Sequence, residues 1–333
     1  MPMTPTEDPG AEDFARLADP FRRELTAHCY RMLGSVHDAE DLVQETYLRA
    51  WRAYDRFEGR SSLRAWLHRI ATRVCLTALE GRARRPMPTG LGGPGDPDEG
   101  PVRRHETPWL EPAPDALVEA GEDDPAAVVL SRESIRLAFV AALQHLPPRQ
   151  QAVLILRDVL GWRAAEVAET VGVSTAAVNS LLQRARDRIA TAAPREEDVT
   201  GPSTAEQRDL LDRYMAAFEA KDVAAIVALF TDDAIWEMPP FLTWYAGRDA
   251  IARHLARVCP ARPGDLRLLR ISANGQPGVA QYLRDPAAGV FRPFNLQVLT
   301  LTPAGRIGHC ATFLDTRLFA IFDLPQTLPA RSR

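Results

Sequence analysis

Residues 146–190, LPPRQQAVLILRDVLGWRAAEVAETVGVSTAAVNSLLQRARDRIA, read as two helices joined by a tight turn. Apolar residues recur at helical spacing as far as Thr170 and Val171, and the pattern breaks at Gly172. Val173 follows, then Ser174, whose hydroxyl suits the N-cap of a second helix running through Ile189. That is the grammar of a helix-turn-helix. On the second helix Val178, Leu182, Ala185 and Ile189 share one face, which leaves Thr175, Asn179, Gln183 and Arg186 together on another. The first face buries. The second has the chemistry of a base reader, because Asn and Gln pair bidentately with adenine and Arg with guanine in the major groove. Arg184 and Arg188 at the flanks suit phosphates. An ordinary amphipathic hairpin with a solvated polar face is the alternative that this stretch alone leaves open.

At 333 residues the chain is long enough for two or three domains, and its 46% hydrophobic and 25% charged content is that of a water-soluble globular protein. The net charge of −4 does not advertise nucleic-acid binding, so the distribution of charge has to carry that argument. Lys221 is the sole lysine. Cys29, Cys75, Cys259 and Cys310 show no C-x-x-C spacing, which suggests buried free thiols rather than zinc or disulfides, and no motif calls for a cofactor or metal. The N-terminal residues lack a signal-peptide pattern and no apolar run reaches membrane-spanning length, so a cytoplasmic protein without membrane contact is expected.

Ahead of the hairpin, residues 13–85 are helical in pattern throughout. Val43, Tyr47, Ala50, Trp51 and Tyr54 trace an apolar stripe, with Asp38, Asp41, Gln44, Glu45 and Arg52 off it. Beyond Trp51 the module turns basic, and a polar loop at 58–62 leads to a helix whose Leu63, Trp66, Leu67, Ile70 and Val74 face inward while Arg64, Arg69 and Arg73 stay outside. Basic side chains beside an aromatic and a polar loop suit a DNA strand with unstacked bases, although Trp66 at this spacing is more often core. Residues 86–124 are too rich in Pro and Gly for regular structure and read as an extended, mobile linker, and 194–203 form a second break.

From Thr204 two helices ending near Thr231 precede a strand at 234–237, a helix at 247–259 and strands at 266–271, 279–283, 294–301 and 309–313. Helices followed by a run of strands indicate an α+β module with a curved sheet. Trp236, Met238, Phe241, Trp244, Tyr245 and Phe294 can line a pocket with His309 as a polar contributor, or can form the core. Asp233, Glu237, His254, His309 and Asp315 are available for proton transfer, yet no spacing among them certifies catalysis, and no enzyme is expected.

DAEDLVQETYLRAWRAYDRF at 38–57, RSSLRAWLHRIATRVCLTAL at 60–79, a linker and then the 146–190 stretch together resemble the extracytoplasmic-function group of the sigma-70 family. WLEPAPD at 109–115 is similar to the subgroup that carries a SnoaL-like extension, and AAFEAKDVAAIVALFTDDAIWEMPP at 216–240 resembles the SnoaL-like branch of the NTF2-like cone fold. The resemblance implies an all-α sigma region 2 at 13–85, the linker at 86–124, a helix-turn-helix sigma region 4 at 125–193 and an α+β cone domain at 204–325. It further implies that Asp38, Asp41, Gln44, Glu45 and Arg52 meet core RNA polymerase, that Arg60, Ser61, Trp66, Arg69 and Arg73 meet the promoter −10 element, and that Ser174, Thr175, Asn179, Ser180, Gln183, Arg184 and Arg186 meet the −35 element. Core polymerase and promoter DNA are the implied partners. A small ligand held by Trp236, Phe241, Trp244, Tyr245 and His309, and a separate anti-sigma factor, are further partners it admits. Relatives often have Asn where this chain has Arg73 and Asp where it has Thr77, so −10 preference does not transfer. A helix-turn-helix regulator that never joins polymerase, and a bifunctional protein with an active third module, are the rival readings.

Overall fold

A computed structural model describes residues 9–59, 61–118, 133–192 and 204–329. The chain forms two compact units, Met1–Arg85 with Ala116–Pro194, and Pro86–Asp115 with Arg195–Arg333. No described helix is long and apolar enough to cross a membrane.

The described part of the first unit is helical. Helices α1 (Pro9–Ala18), α2 (Arg22–Leu33), α3 (Val36–Ala53) and α4 (Leu63–Leu79) make its first half. Their ends follow from local chemistry: the Ser35 hydroxyl accepts from Asp38 N–H and the Ser62 hydroxyl from Ala65 N–H, each at 3.2 Å, while Gly34 closes α2 in the left-handed conformation. Leu25, Cys29, Tyr30, Met32, Val43, Ala50, Leu67, Ala71 and Cys75 are buried between the helices. Burying each Leu or Val contributes about 1.5–3 kcal/mol. Trp51 departs from the expected apolar stripe: Ala39, Val43, Thr46 and Ala50 form the buried seam, and Trp51 stands 42% exposed beside Leu48 at 48%.

The second half contains α5 (Leu137–Leu143), α6 (Pro148–Leu154), α7 (Ala164–Val171) and α8 (Thr175–Ala192). A π-turn at Ile155–Val159 prolongs α6, a detail that apolar periodicity does not foretell. Residues 125–132, the expected start of the helix-turn-helix module, lie outside the described residues. Gly172 sits at φ 72°, and its N–H and that of Val173 both donate to Ala168 O at 3.0 Å. The turn of the helix-turn-helix is therefore a left-handed helix stop, followed at once by the Ser174 cap, whose hydroxyl accepts from Ala177 N–H at 3.2 Å.

The second unit is α+β. Helices α9 (Thr204–Ala220), α10 (Val223–Ala228) and α11 (Arg248–Arg257) accompany strands β1 (Phe230–Glu237), β2 (Trp244–Ala246), β3 (Leu266–Ala273), β4 (Gln276–Asp285), β5 (Val290–Leu301), β6 (Ile307–Phe313) and β7 (Leu328–Pro329). The sheet order is β2-β1-β6-β5-β4-β3, with β7 beside β5 and only β1–β6 parallel among these pairings. Tyr214 and Phe218 of α9 pack with Phe230 and Trp236, so one face of the sheet is closed by helix. Lys221, at φ 55° just past α9, donates its ammonium to the carbonyls of Leu255 and Cys259 at 2.9 and 3.3 Å, at and just beyond the C-terminal end of α11.

The segment 86–115 corrects the expectation of a mobile linker. It has little regular structure, as its Pro and Gly content dictates, but it is strapped to the sheet-bearing unit. Thr89 N–H donates to Glu237, Gly95 N–H to Trp244 O, Val102 N–H to the Thr243 hydroxyl and Arg104 N–H to Pro240 O, at 2.8–3.1 Å. Asp98 pairs with Arg253 and Arg257, and Asn274 exchanges two hydrogen bonds with Ala113, at 2.9 and 3.0 Å. Proline withholds donors from a β-ladder, yet the remaining backbone groups still require partners, and Glu237, Pro240, Thr243, Trp244 and Asn274 supply them.

Candidate nucleic-acid interface

Helix α8 presents its polar face as the sequence requires. Val178, Leu182 and Ala185 are buried, and Thr175, Asn179, Ser180, Gln183, Arg184 and Arg186 are exposed. Asn179 and Arg184 make no side-chain hydrogen bond among the described residues. Gln183 donates to Asp187 at 2.9 Å, one turn on. Arg186 forms a bidentate pair with Asp158 of the π-turn at 2.9 and 2.7 Å, and that carboxylate raises its pKa. The pair is solvent-accessible on both sides and ties the middle of α8 to the turn that follows α6. The π-turn thereby brings Asp158 within reach of the reading helix.

The basic face of α4 is arranged differently. Arg64 is pinned by Glu24, which also receives His68 at 3.1 Å. Burial pushes the Glu24 carboxyl up, but hydrogen bonds from His68 and Arg64 outweigh it and hold the pKa at about 2. Arg69 pairs with Glu169 at 3.1 Å, and Arg73 donates to the backbone carbonyls of Glu169 and Thr170 at 3.2 and 3.4 Å. Ser62, Arg64, Ala65 and Arg69 line a cleft of about 240 Å³ with Leu160, Gly161, Trp162, Arg163 and Glu166. Trp66 packs on Phe57 and Tyr54, with ring centroids 4.8 and 6.5 Å apart, so its ring serves the module's own core. Ser61 is half-buried, and Arg60 lies outside the described residues.

Along α3, Asp41, Gln44 and Arg52 are exposed together with Leu48 and Trp51, forming a mixed apolar and charged surface. Asp38 is engaged by Arg82 and Arg85 at 3.0 and 2.8 Å, and Glu45 by Arg49 at 2.6 Å. Within the proposed set, then, three side chains are free of those pairings and two are not.

The residues proposed to line a pocket in the third module divide between the two faces of the sheet. Register pairs Trp236 with Tyr245 and Cys310, and Glu237 with Trp244 and Ala311, so Trp236 and Tyr245 face one way and Trp244 the other. Trp236 and Tyr245 are 2% and 0% exposed and belong to the packed core. The expectation that all five side chains share one cavity is corrected on that alternation. Phe241 lies under the guanidinium of Arg103, and Trp244 donates its indole N–H to Gly92 O at 2.9 Å. His309 Nε2 meets Glu237 Oε1 at 2.8 Å, and the other oxygen of that buried carboxylate accepts from Thr89 N–H. Of the remaining acids, Asp233 is exposed and Asp315 pairs with Arg317. Burial, with Lys221 nearby, lowers His254 to about 4.

The comparisons with known proteins follow these divisions. Residues 17–85 match sigma-70 region 2, residues 136–189 match sigma-70 region 4, and residues 211–301 match the SnoaL-like domain. The ECF RNA polymerase sigma factor SigG of Mycobacterium tuberculosis is 58% identical over 319 residues, covering 95% of this chain and 85% of that one. The chain belongs to the extracytoplasmic-function sigma factors. SigJ of the same organism is 33% identical over 243 residues, covering 70% of this chain and 69% of that protein. The crystal structure of SigJ aligns over 93% of this chain and 99% of that one with TM-score 0.57 and 25% identity. The region 2 match thus spans α2–α4, the region 4 match contains the helix-turn-helix of α7 and α8, and the SnoaL-like match falls in the sheet-bearing unit.

Sequence reasoning misses several contacts around these sites. Asp158, Glu169, Thr170 and Thr89 carry no motif, and their roles arise only where separate segments meet.

Proposed function

We propose that this sigma factor binds core RNA polymerase through the exposed face of α3, engages the −10 element with the basic side of region 2 and reads the −35 element with α8. The observation that carries the reading is the solvent-facing row Thr175, Asn179, Gln183 and Arg186, held on a helix whose opposite face is packed. Reconstitution with core polymerase and genomic fragments gives promoter-specific transcripts on this reading. Replacing both Asp41 and Glu45 with Arg abolishes polymerase capture while leaving the fold intact. A variant pair that still captures polymerase would favour a regulator acting without it.

The SnoaL-like domain acts as a regulator rather than an enzyme, and the strap is its instrument. Support comes from Thr89 over the Glu237–His309 pair and from the packing of Trp236 and Tyr245, which leaves these groups committed to structure. A small ligand or an anti-sigma factor changes activity only insofar as it favours one arrangement of strap and domain over another. Truncation after Ala193 removes the surface to which the strap is bound, and its promoter activity therefore differs from that of the full chain. An unchanged transcript profile would remove the regulatory role.

A further inference from the structure

We infer that the SnoaL-like domain holds an uncharged small molecule, with a hydrogen-bond donor and an acceptor on an apolar body, against a row of amides on the helix-facing side of its sheet. The inference names the ligand chemistry that the regulatory reading leaves open, and it rests on that reading only for what binding would do to transcription.

Strand register sets the row. Gln281 of β4 stands opposite Asn295 of β5, and Gln297 of β5 stands opposite Thr312 of β6, so these side chains share one face. Helix α9 lies over that face, because the Tyr214 hydroxyl donates to Gln297 Oε1 at 2.8 Å. The same oxygen accepts from Gln281 Nε2 at 3.1 Å, and Gln281 Oε1 accepts from Asn295 Nδ2 at 3.1 Å. All three amides are buried, Asn295 being 3% exposed.

The chain of bonds stops short at both ends. Asn295 Oδ1 is buried without a hydrogen-bond partner, and Gln297 Nε2 donates to nothing among the described residues. An amide oxygen left unmet in a protein interior is costly, so its presence calls for an occupant that donates to it. The open acceptor and the open donor sit two residues apart on β5, about 7 Å along the strand, a span that suits opposite ends of a ring better than one water. Beside Asn295 the register shifts: Asn295 faces Gln281 and Pro293 faces Tyr282, which leaves Phe294 as the extra residue of a β-bulge. Phe294 and Leu283 are only half-buried and pack against the core, so this end of the row has an apolar rim that reaches solvent.

The row also selects by charge. No ionised group hydrogen-bonds to these amides among the described residues. Burial raises the Tyr214 hydroxyl well above its ordinary pKa and pushes the neighbouring Cys310 thiol up to about 12, so both stay neutral. A charged ligand would lose its hydration here and meet no opposite charge. With no group that titrates near neutrality, the row holds a molecule without transforming it.

The test uses the full chain without polymerase and para-hydroxybenzamide, a neutral ring with a hydroxyl donor and an amide acceptor at opposite ends. Saturation-transfer NMR should show saturable binding in the millimolar range. Its anionic counterpart, para-hydroxybenzoate, should bind at least about tenfold more weakly, and Asn295→Leu should weaken the amide about tenfold. Absence of saturable binding, equal affinity for the two probes, or unchanged affinity in a folded Asn295→Leu chain overturns the inference. Should Asn295→Leu fail to fold, the side-chain amide signals of Asn295, Gln281 and Gln297 in the unaltered chain replace it. Signals that move as para-hydroxybenzamide is added support the site, and binding that leaves them unmoved overturns it. Binding with no change in promoter activity would sustain the site and remove the regulatory role. A truncation that alters transcripts in a chain whose parent binds no probe would do the reverse.

Discussion

Helices α4 and α8 carry similar basic chemistry toward DNA, yet they meet their surroundings in opposite ways. On α8 the reading side chains Asn179 and Arg184 face solvent, while Gln183 and Arg186 are tethered by carboxylates of their own module, Asp187 and Asp158. On α4, Arg64, Arg69 and Arg73 are all occupied, one by Glu24 and two by the end of α7. The difference teaches that exposure of a basic residue in sequence pattern does not measure its availability. Availability depends on whether some anionic or carbonyl group in the same molecule lies within reach, and helix ends supply such groups wherever two modules meet.

The contrast can be broken most forcefully from the acid side. Glu24 is held at about 2 against an unfolded value near 4.5, so its contribution is full above pH 4.5 and is lost as pH falls toward 2. Acid melting of the chain should therefore cost region 2 roughly 2–3 kcal/mol over that window. Glu24→Gln flattens this part of the profile and frees Arg64. Circular dichroism against pH reads the result, and an unaltered profile in Glu24→Gln would show that the carboxylate does not hold α4 in place.

On the other helix, Gly172→Val strikes the turn itself. The φ of 72° excludes a branched side chain although a Cβ there would meet nothing within 4 Å, so the loss is conformational rather than steric. About 2 kcal/mol of region 4 stability should disappear, with −35 binding falling in parallel. Differential scanning and a duplex-binding assay separate this from a local effect on contact residues.

Smaller changes sharpen the contrast between a free and a tethered side chain. Asn179→Ala should weaken discrimination between the −35 sequence and a scrambled duplex about tenfold while polymerase affinity stays level, as expected for losing one bidentate base contact. Asp158→Asn releases Arg186 from an exposed pair and should alter stability by less than about 1 kcal/mol. Duplex affinity should rise by no more than about threefold, because a nearby negative charge is gone and the guanidinium is free to reach the groove. A fall in affinity would identify Arg186 as a brace for α8 instead of a reader.

Much of this architecture is legible in the sequence because it follows from local rules. The left-handed stop at Gly172, the Ser174 cap and the buried row Val178, Leu182 and Ala185 are all settled within a few residues. Strands β3–β6 announce themselves by alternation in the same way. What stays hidden depends on meetings between distant segments. Composition correctly denies residues 86–115 regular structure, but irregular backbone is not the same as unattached backbone, and only Thr89, Asp98 and Ala113 seen beside Glu237, Arg253 and Asn274 reveal the attachment. Likewise, the aromatic cluster near Trp236 reads as a single lining, whereas a one-residue step along a strand reverses the direction of a side chain. Short β2, three residues long after the Pro239–Pro240 break, gives no periodic signal at all.

Lys221 has a practical consequence for studying such a chain. As the sole lysine, it offers amine-directed reagents one side-chain target, and its ammonium is held by two carbonyls near the end of α11. The rate at which that amine becomes acylated thus reports how often this corner of the SnoaL-like domain opens. A chemical label reads the breathing of one domain, with no engineered handle, while the arginine-rich sigma regions stay silent.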